Sequence, residues 1–381
     1  MEIKKEAHSN WETFPIFVAL LGMSLIAVFE PLEVEAYISL GVWICFFSVG
    51  ICFLFMMRRK NFTGKNLHGI LLLIVAVVSF LVSFDFTRKN LVALMCFIEL
   101  PIFLMYLDKD GQKNIVNIIY LLYYLISCYY IILSFSSIAY RYLSENGSIQ
   151  ISDLTLGLKN PNQTGIYLLV MLFVLTNAFA NEQVKKIFRI ALLINIVWIF
   201  LLIIQTNSRT CVIVAAAHMA FLLVAPKIKL NKLIIFLAVI SPFIFLLFIL
   251  CGQDIYKDLN IFGSAFDTGR LDIYLGILSD VTLPSFFLGD FSRYRFSNAH
   301  NIAMAIFATG GIILVIVFFI FIYKKLTATT KKNILLVQKI ALFDLLLLLV
   351  HSCLEAAVFT AGSLYAVSVM ALYCIARTDK E

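Results

Sequence analysis

Residues 233–251 read LIIFLAVISPFIFLLFILC, a run without one charged side chain. A helix needs about 20 mainly apolar residues to cross the hydrocarbon of a bilayer. Backbone in lipid must satisfy its own hydrogen bonds, so such a run is helical when it spans. This stretch therefore predicts a membrane helix, and its neighbours decide whether it stands alone.

It does not. Comparable runs lie at 14–29, 36–57, 67–86, 91–107, 115–139, 164–180, 188–206, 211–225, 301–323, 334–352 and 356–376. With 233–251 they make twelve candidate spans. The first and the eighth are short, which leaves ten or eleven crossings open. The composition agrees: 62% of the 381 residues are hydrophobic and 14% charged, against about 45–50% and 25% in soluble domains. Mean hydropathy is +0.96. The fold class expected is an all-α polytopic membrane protein. No internal repeat or low-complexity linker appears, so residues 1–381 read as a single integral membrane domain. The polar N-terminus MEIKKEAHSNWETF runs into an apolar segment without a small-residue cleavage site, and it reads as a retained first helix.

Net charge is +7. In a soluble chain that would suggest nucleic acid, but no basic arm or aromatic-interleaved basic patch supports such a partner. Lys and Arg instead flank the apolar runs. With twelve crossings and both termini cytoplasmic, 21 of the 30 Lys and Arg fall on the inner side and nine outside. Inverting the chain inverts that bias, so the positive-inside rule favours this orientation. The eight cysteines form no CxxC pair and no Cys/His metal spacing, and read as small hydrophobes.

Two predicted outer connections, 141–163 and 252–300, are too long to be turns, and loops of such length are often functional. Within the second, GRLDIYLGILSDV (269–281) has helical apolar spacing at Leu271, Ile273, Tyr274, Ile277 and Leu278. It could lie as a short amphipathic helix on the membrane surface.

Polar groups gather on the same side. They are NSRT (207–210), DTGRLD (267–272), NAHN (298–301), HSCLE (351–355) and NPN (160–162). His351 and Glu355 are four apart, the spacing of one helix face. Each group has a plain structural alternative. Ser208 and Thr210 could cap a helix, and Arg209 could snorkel to headgroups. Arg270 could be a solvated cation, and His300 a loop histidine bonded to backbone. Asn160, Pro161 and Asn162 could be turn chemistry. Convergence changes the weighing. A guanidinium binds a diphosphate bidentately and stays charged. A neutral histidine accepts a proton from an attacking hydroxyl. A diphosphate leaves well once its developing charge is neutralised.

The ordered set Ser208-Arg209-Thr210, Gly269-Arg270, His300-Asn301 and Gly310-Gly311 resembles the O-antigen polymerase/ligase family of bacterial glycan assembly (the Wzy/WaaL type). The likeness covers roughly residues 155–360, and the first five spans add hydropathy only. The compact loop fits a capsule or O-antigen polymerase at least as well as a ligase. The resemblance implies a glycosyltransferase C-type fold in the bacterial inner (plasma) membrane. It implies transfer of a growing glycan from undecaprenyl diphosphate to a lipid-linked repeat unit, with inversion and with no cofactor, nucleotide sugar or metal. Partners implied are the undecaprenyl-diphosphate-linked oligosaccharide, membrane lipids, a chain-length regulator and a flippase, with no nucleic acid. His300, Arg270 and Arg209 are the catalytic candidates: the arginines on the donor diphosphate, His300 as base or diphosphate ligand. Asn301, Glu355, His351, Asn162 and Ser208 are the substrate-binding candidates.

Other readings remain. DKD (108–110) mimics a metal-binding DxD but reads as a solvated cytoplasmic turn. No P-loop or GxSxG element appears. The aromatic run YLLYYLISCYY (120–130) could stack sugars or pack the bundle. A ligase of the same family is the near alternative. A lipid-linked oligosaccharide flippase is the distant one, with Glu99 and Asp344 as ionisable groups on a transport path. The Gly310-Gly311 pair is expected to let its helix pack closely.

Overall fold

In the computed structural model the described residues are 2–58, 66–83, 87–107, 113–144, 155–156, 161–252, 260–261, 264–265, 269–291, 299–330, 334–355 and 363–377. The DKD turn and Asn160 lie outside them.

Among the described residues twelve helices fall on the twelve apolar runs. They are α1 (Glu2–Phe29), α2 (Glu35–Arg58), α3 (Leu67–Val82), α4 (Arg88–Tyr106), α5 (Lys113–Ser144), α6 (Pro161–Ala180), α7 (Lys186–Gln205), α8 (Arg209–Val224) and α9 (Lys232–Cys251), then α12 (Ile302–Thr329), α13 (Leu336–His351) and α14 (Ser363–Arg377). Between α9 and α12 lie two short helices, α10 (Arg270–Ser279) and α11 (Leu283–Leu288). A small antiparallel hairpin precedes them, β1 (Asn260–Ile261) and β2 (Ser264–Ala265), with Asn260 opposite Ala265.

Among the described residues seven stretches, in or overlapping α1, α2, α5, α6, α7, α9 and α12, are long and apolar enough to cross a membrane. The chain is thus a polytopic helical membrane protein. Helix starts follow ordinary capping rules: the Thr87 side chain caps α4, Asn231 caps α9 and Asn301 caps α12.

The burial pattern places the core. In α6 every residue from Thr164 to Ala178 is buried, and α14 is buried from Ser363 to Ala376. A helix that is apolar all round belongs at the centre of a bundle, and α6 packs against α5, α7, α8, α13 and, more lightly, α14. The peripheral helices instead present Phe47, Ile194 and Leu247 to the outside. An exposed aliphatic surface of that kind suits lipid. The aromatic run on α5 packs the bundle: Tyr123 donates to Ser368 (2.9 Å), and Tyr130 to the Ala27 carbonyl (3.0 Å).

The expected close packing at Gly310-Gly311 is real, but its cause is different. Gly311 has φ 68°, ψ −175°, and breaks α12 into two segments. That region of backbone space is essentially open to glycine alone. The break receives the end of α11: a Cβ on Gly311 would sit 2.3 Å from the Phe287 carbonyl carbon and oxygen. The Asp290 amide donates to the Ala308 carbonyl (3.1 Å), and the Ser79 hydroxyl reaches the Gly310 carbonyl (3.5 Å). The end of α11 thus packs into the bundle, which its sequence does not announce. Gly311→Ala is expected to destabilise the protein by about 1–3 kcal/mol from backbone strain alone, before the overlap with Phe287. Gly50, a helical glycine with nothing within 4 Å of its missing Cβ, is the control. Thermal unfolding in detergent should show Gly50→Ala unchanged or raised and Gly311→Ala clearly lowered.

Candidate functional site

The site forms around the turn that follows α13. The helix ends at His351, and the amides of Leu354 and Glu355 close back on the His351 carbonyl (3.0 and 3.2 Å). Glu355 therefore projects from a turn, not from the helix face assumed in pairing it with His351. Three further helix starts converge on this turn.

The first is α12. Asn301 is fully buried and uses its whole side chain: Oδ1 accepts from the Ala303 and Met304 amides (2.9 and 3.1 Å), while Nδ2 donates to the Pro242 and Cys353 carbonyls (3.0 and 3.1 Å). The Ile302 amide donates to the Ser352 carbonyl (3.0 Å). Asn301 is consequently a structural clamp between α9, α12 and the α13 turn, with no free donor for a sugar. It fixes His300 in a left-handed conformation, φ 50°. A non-glycine residue there is held by its surroundings, and such positions concentrate at functional sites.

His300 Nδ1 lies 3.4 Å from Glu355 Oε2, within ion-pair range, with the two side chains 33% and 13% exposed. The second helix start, α6, supplies Asn162, whose Nδ2 donates to Glu355 Oε1 (3.0 Å). Glu355 is thus bonded to Asn162 and faces His300 Nδ1 across ion-pair distance, without a hydrogen bond to it.

The third start is α10. Gly269 caps it with φ 77°, and Arg270 Nη2 reaches the Leu354 carbonyl (3.4 Å), beside Glu355 in sequence. Arg270 is therefore at the site. One helical turn further, Tyr274 is fully buried, and its hydroxyl has no hydrogen-bond partner. It lies in the field of Arg270, Cys353 and Glu355, and burial pushes the phenol well above its usual range. Sequence reading placed Tyr274 among the apolar positions of α10 and missed it as a polar group.

Arg209 and Ser208 open α8. Ser208 is the N-cap residue but makes no capping bond; it is buried against α6. A Cβ on Gly165 would meet the Cys211 sulfur at 2.8 Å and the Ser208 Cβ at 3.1 Å. Gly165 thus sets α8 directly against α6, one turn from Asn162, with Arg209 half-buried at the junction. Ser208 is a packing residue here, not an exposed ligand. His351 lies a layer below: it is fully buried, with Nε2 3.4 Å from the Cys211 sulfur. Cys353 touches the Ser241 hydroxyl (3.4 Å), and burial pushes its thiol up to about 11, so it is a donor, not a nucleophile.

Of the eight candidates, His300, Glu355, Asn162 and Arg270 are brought onto one turn. Arg209 is at the adjoining helix start, and Asn301, Ser208 and His351 support the site from beneath. Among the described residues no three His, Cys, Asp or Glu side chains gather as a metal-binding set. No known protein family, characterised protein or solved structure matches this chain.

Proposed function

We propose that this protein transfers a glycan from a polyprenyl diphosphate to an acceptor hydroxyl, acting as a polysaccharide polymerase at the outer leaflet of a bacterial plasma membrane. The observation that carries the reading is the convergence of His300, Glu355 and Asn162 at one turn, with Arg270 bonded to it. The proposal keeps twelve crossings and cytoplasmic termini, in line with the Lys and Arg distribution.

In this reading His300 Nε2 takes the proton of the acceptor hydroxyl as its oxygen attacks the anomeric carbon. The new C–O bond forms on the face opposite the old one. The old anomeric C–O bond breaks, and its electron pair leaves with the diphosphate. Arg270 and Arg209 neutralise the charge that develops on that leaving group. Glu355 stabilises the imidazolium, and Asn162 keeps the carboxylate oriented.

Depth supports the same reading. The helices α8 and α13 have 16 residues each, or about 24 Å at 1.5 Å per residue, against a hydrocarbon thickness of about 30 Å. The site on their ends then lies below the headgroups. The contacts to Ser241 and Pro242 meet α9 at its midpoint, so α9 rises past the site as a wall.

Purified full-length protein in lipid nanodiscs, given a synthetic polyprenyl-diphosphate-linked repeat unit, is expected to yield longer lipid-linked chains and one free polyprenyl diphosphate per bond formed. A deletion strain should accumulate single repeats exposed on the outer face. Long lipid-linked polymer would instead identify a ligase, and repeats trapped facing the cytoplasm a flippase. Absence of elongation in nanodiscs together with either of those outcomes refutes the polymerase.

A further inference from the structure

We infer that Tyr274 is a phosphate-binding residue of this site, its hydroxyl reserved as a donor to a phosphoryl oxygen of the diphosphate that Arg270 holds. The inference rests on the lipid-diphosphate reading above and adds a residue to it.

Three observations support it. The first is burial without a partner. The Tyr274 ring is 0% exposed and its hydroxyl makes no hydrogen bond. A buried polar atom left unpaired costs stability, and native chains rarely keep one without a use for it. A phenylalanine would fill the same space without that cost.

The second is register. Tyr274 follows Arg270 by four residues on α10, so both side chains lie on one helix face. That face turns toward the 353–355 turn, where Arg270 bonds the Leu354 carbonyl and where Cys353 and Glu355 act on the Tyr274 phenol. The third is the acceptor that Arg270 bonds in that turn. Its bond to the Leu354 carbonyl is long, 3.4 Å. An anionic phosphoryl oxygen is a far stronger acceptor for guanidinium than a neutral carbonyl. When the guanidinium turns to it, the anion comes within reach of the next polar atom on that face, the Tyr274 hydroxyl. Burial keeps this phenol protonated, so it acts as a donor.

The test uses full-length protein in zwitterionic nanodiscs and three probes: farnesyl diphosphate, inorganic diphosphate and farnesol. Tyr274→Phe is expected to weaken farnesyl diphosphate binding roughly ten- to hundredfold, the loss of one hydrogen bond to a charged group. Farnesol binding should not change. The melting temperature without ligand should stay level or rise by about 1–2 °C, since an unsatisfied hydroxyl has been removed. Weakening of inorganic diphosphate by the same factor assigns the effect to the phosphates and not to the prenyl chain. Equal farnesyl diphosphate binding by Tyr274→Phe and wild type overturns the role of Tyr274 and leaves the lipid-diphosphate reading standing. A lowered melting temperature, or failure to fold, overturns it as well, because the hydroxyl would then be a structural donor. Wild-type protein that binds farnesyl diphosphate no better than farnesol overturns the lipid-diphosphate reading itself, and this inference with it.

Discussion

His300→Asn is expected to slow glycan transfer by about 10²–10⁴-fold, the usual worth of a positioned general base, while the protein stays folded. Asparagine is the informative substitution because residue 300 has φ 50°. Asparagine tolerates the left-handed region where most residues do not, so the loss of a base is not mixed with backbone strain. Glu355→Gln should be milder, about 10–100-fold by analogy with supporting partners of functional histidines. Glutamine keeps the shape of Glu355, but it supplies no charge to an imidazolium. Nearly normal elongation by His300→Asn at equal protein levels would remove His300 from the chemistry.

The helices were legible because lipid imposes a simple rule on sequence: an apolar run of sufficient length is a helix. The cluster of polar motifs was legible for a related reason, since polar groups at the ends of such runs are few. What sequence left hidden depends on the third dimension. Gly311 has no composition signal that distinguishes a packing glycine from one that breaks a helix; only the backbone of Phe287 fitting into the gap decides it. The segment LPSFFL reads as loop, yet it is α11 and carries its own capping box at Thr282 and Ser285. Asn162 and Glu355 are 193 residues apart, and their bond exists because α6 and the α13 turn share one end of the bundle. Asn301 illustrates the opposite error. It looked like a ligand beside His300, but every polar atom of its side chain is spent on backbone. Tyr274 was hidden by its ring, which scores as apolar while its hydroxyl does not. Glu99 was visible as a carboxyl in an apolar helix, and it accepts from Ser363 (2.8 Å) at the start of α14.

Asp344→Leu is expected to be the most destabilising single change in the bundle, by about 3–5 kcal/mol. Asp344, which the flippase alternative would place on a transport path, is paired on both oxygens. Oδ1 lies 2.6 Å from His218 Nδ1, and Oδ2 accepts from Asn177 Nδ2 at 2.7 Å. His218 Nε2 in turn lies 2.8 Å from the Thr176 hydroxyl. Asp344, His218 and Asn177 are 0% exposed. A single hydrogen bond between membrane helices averages only about 0.6 kcal/mol, which would make the variant nearly silent. The larger figure applies because the carboxylate serves two donors at once. Its removal strands the His218 Nδ1 proton and leaves the Asn177 amide only its bond to the Phe173 carbonyl, inside a core with no water to replace the loss. The functional consequence follows from which helices the network joins. Asn177 is on α6, His218 on α8 and Asp344 on α13, and the far ends of those helices carry Asn162, Arg209 and the Glu355 turn. Loosening the network should therefore reduce transfer through misplacement of the site. A compensating variant gives the sharper test. Asp344→Leu combined with His218→Phe removes the stranded donor along with the charge, and well-packed apolar replacements of buried ion pairs are often neutral or stabilising. The double variant should recover most of the melting temperature and most of the activity. If it recovers stability but not transfer, the pair takes part in the reaction and is not only a tie between helices. If Asp344→Leu alone unfolds within about 1 kcal/mol of wild type, an amount too small for a doubly bonded buried carboxylate, the network does not hold the three helices together.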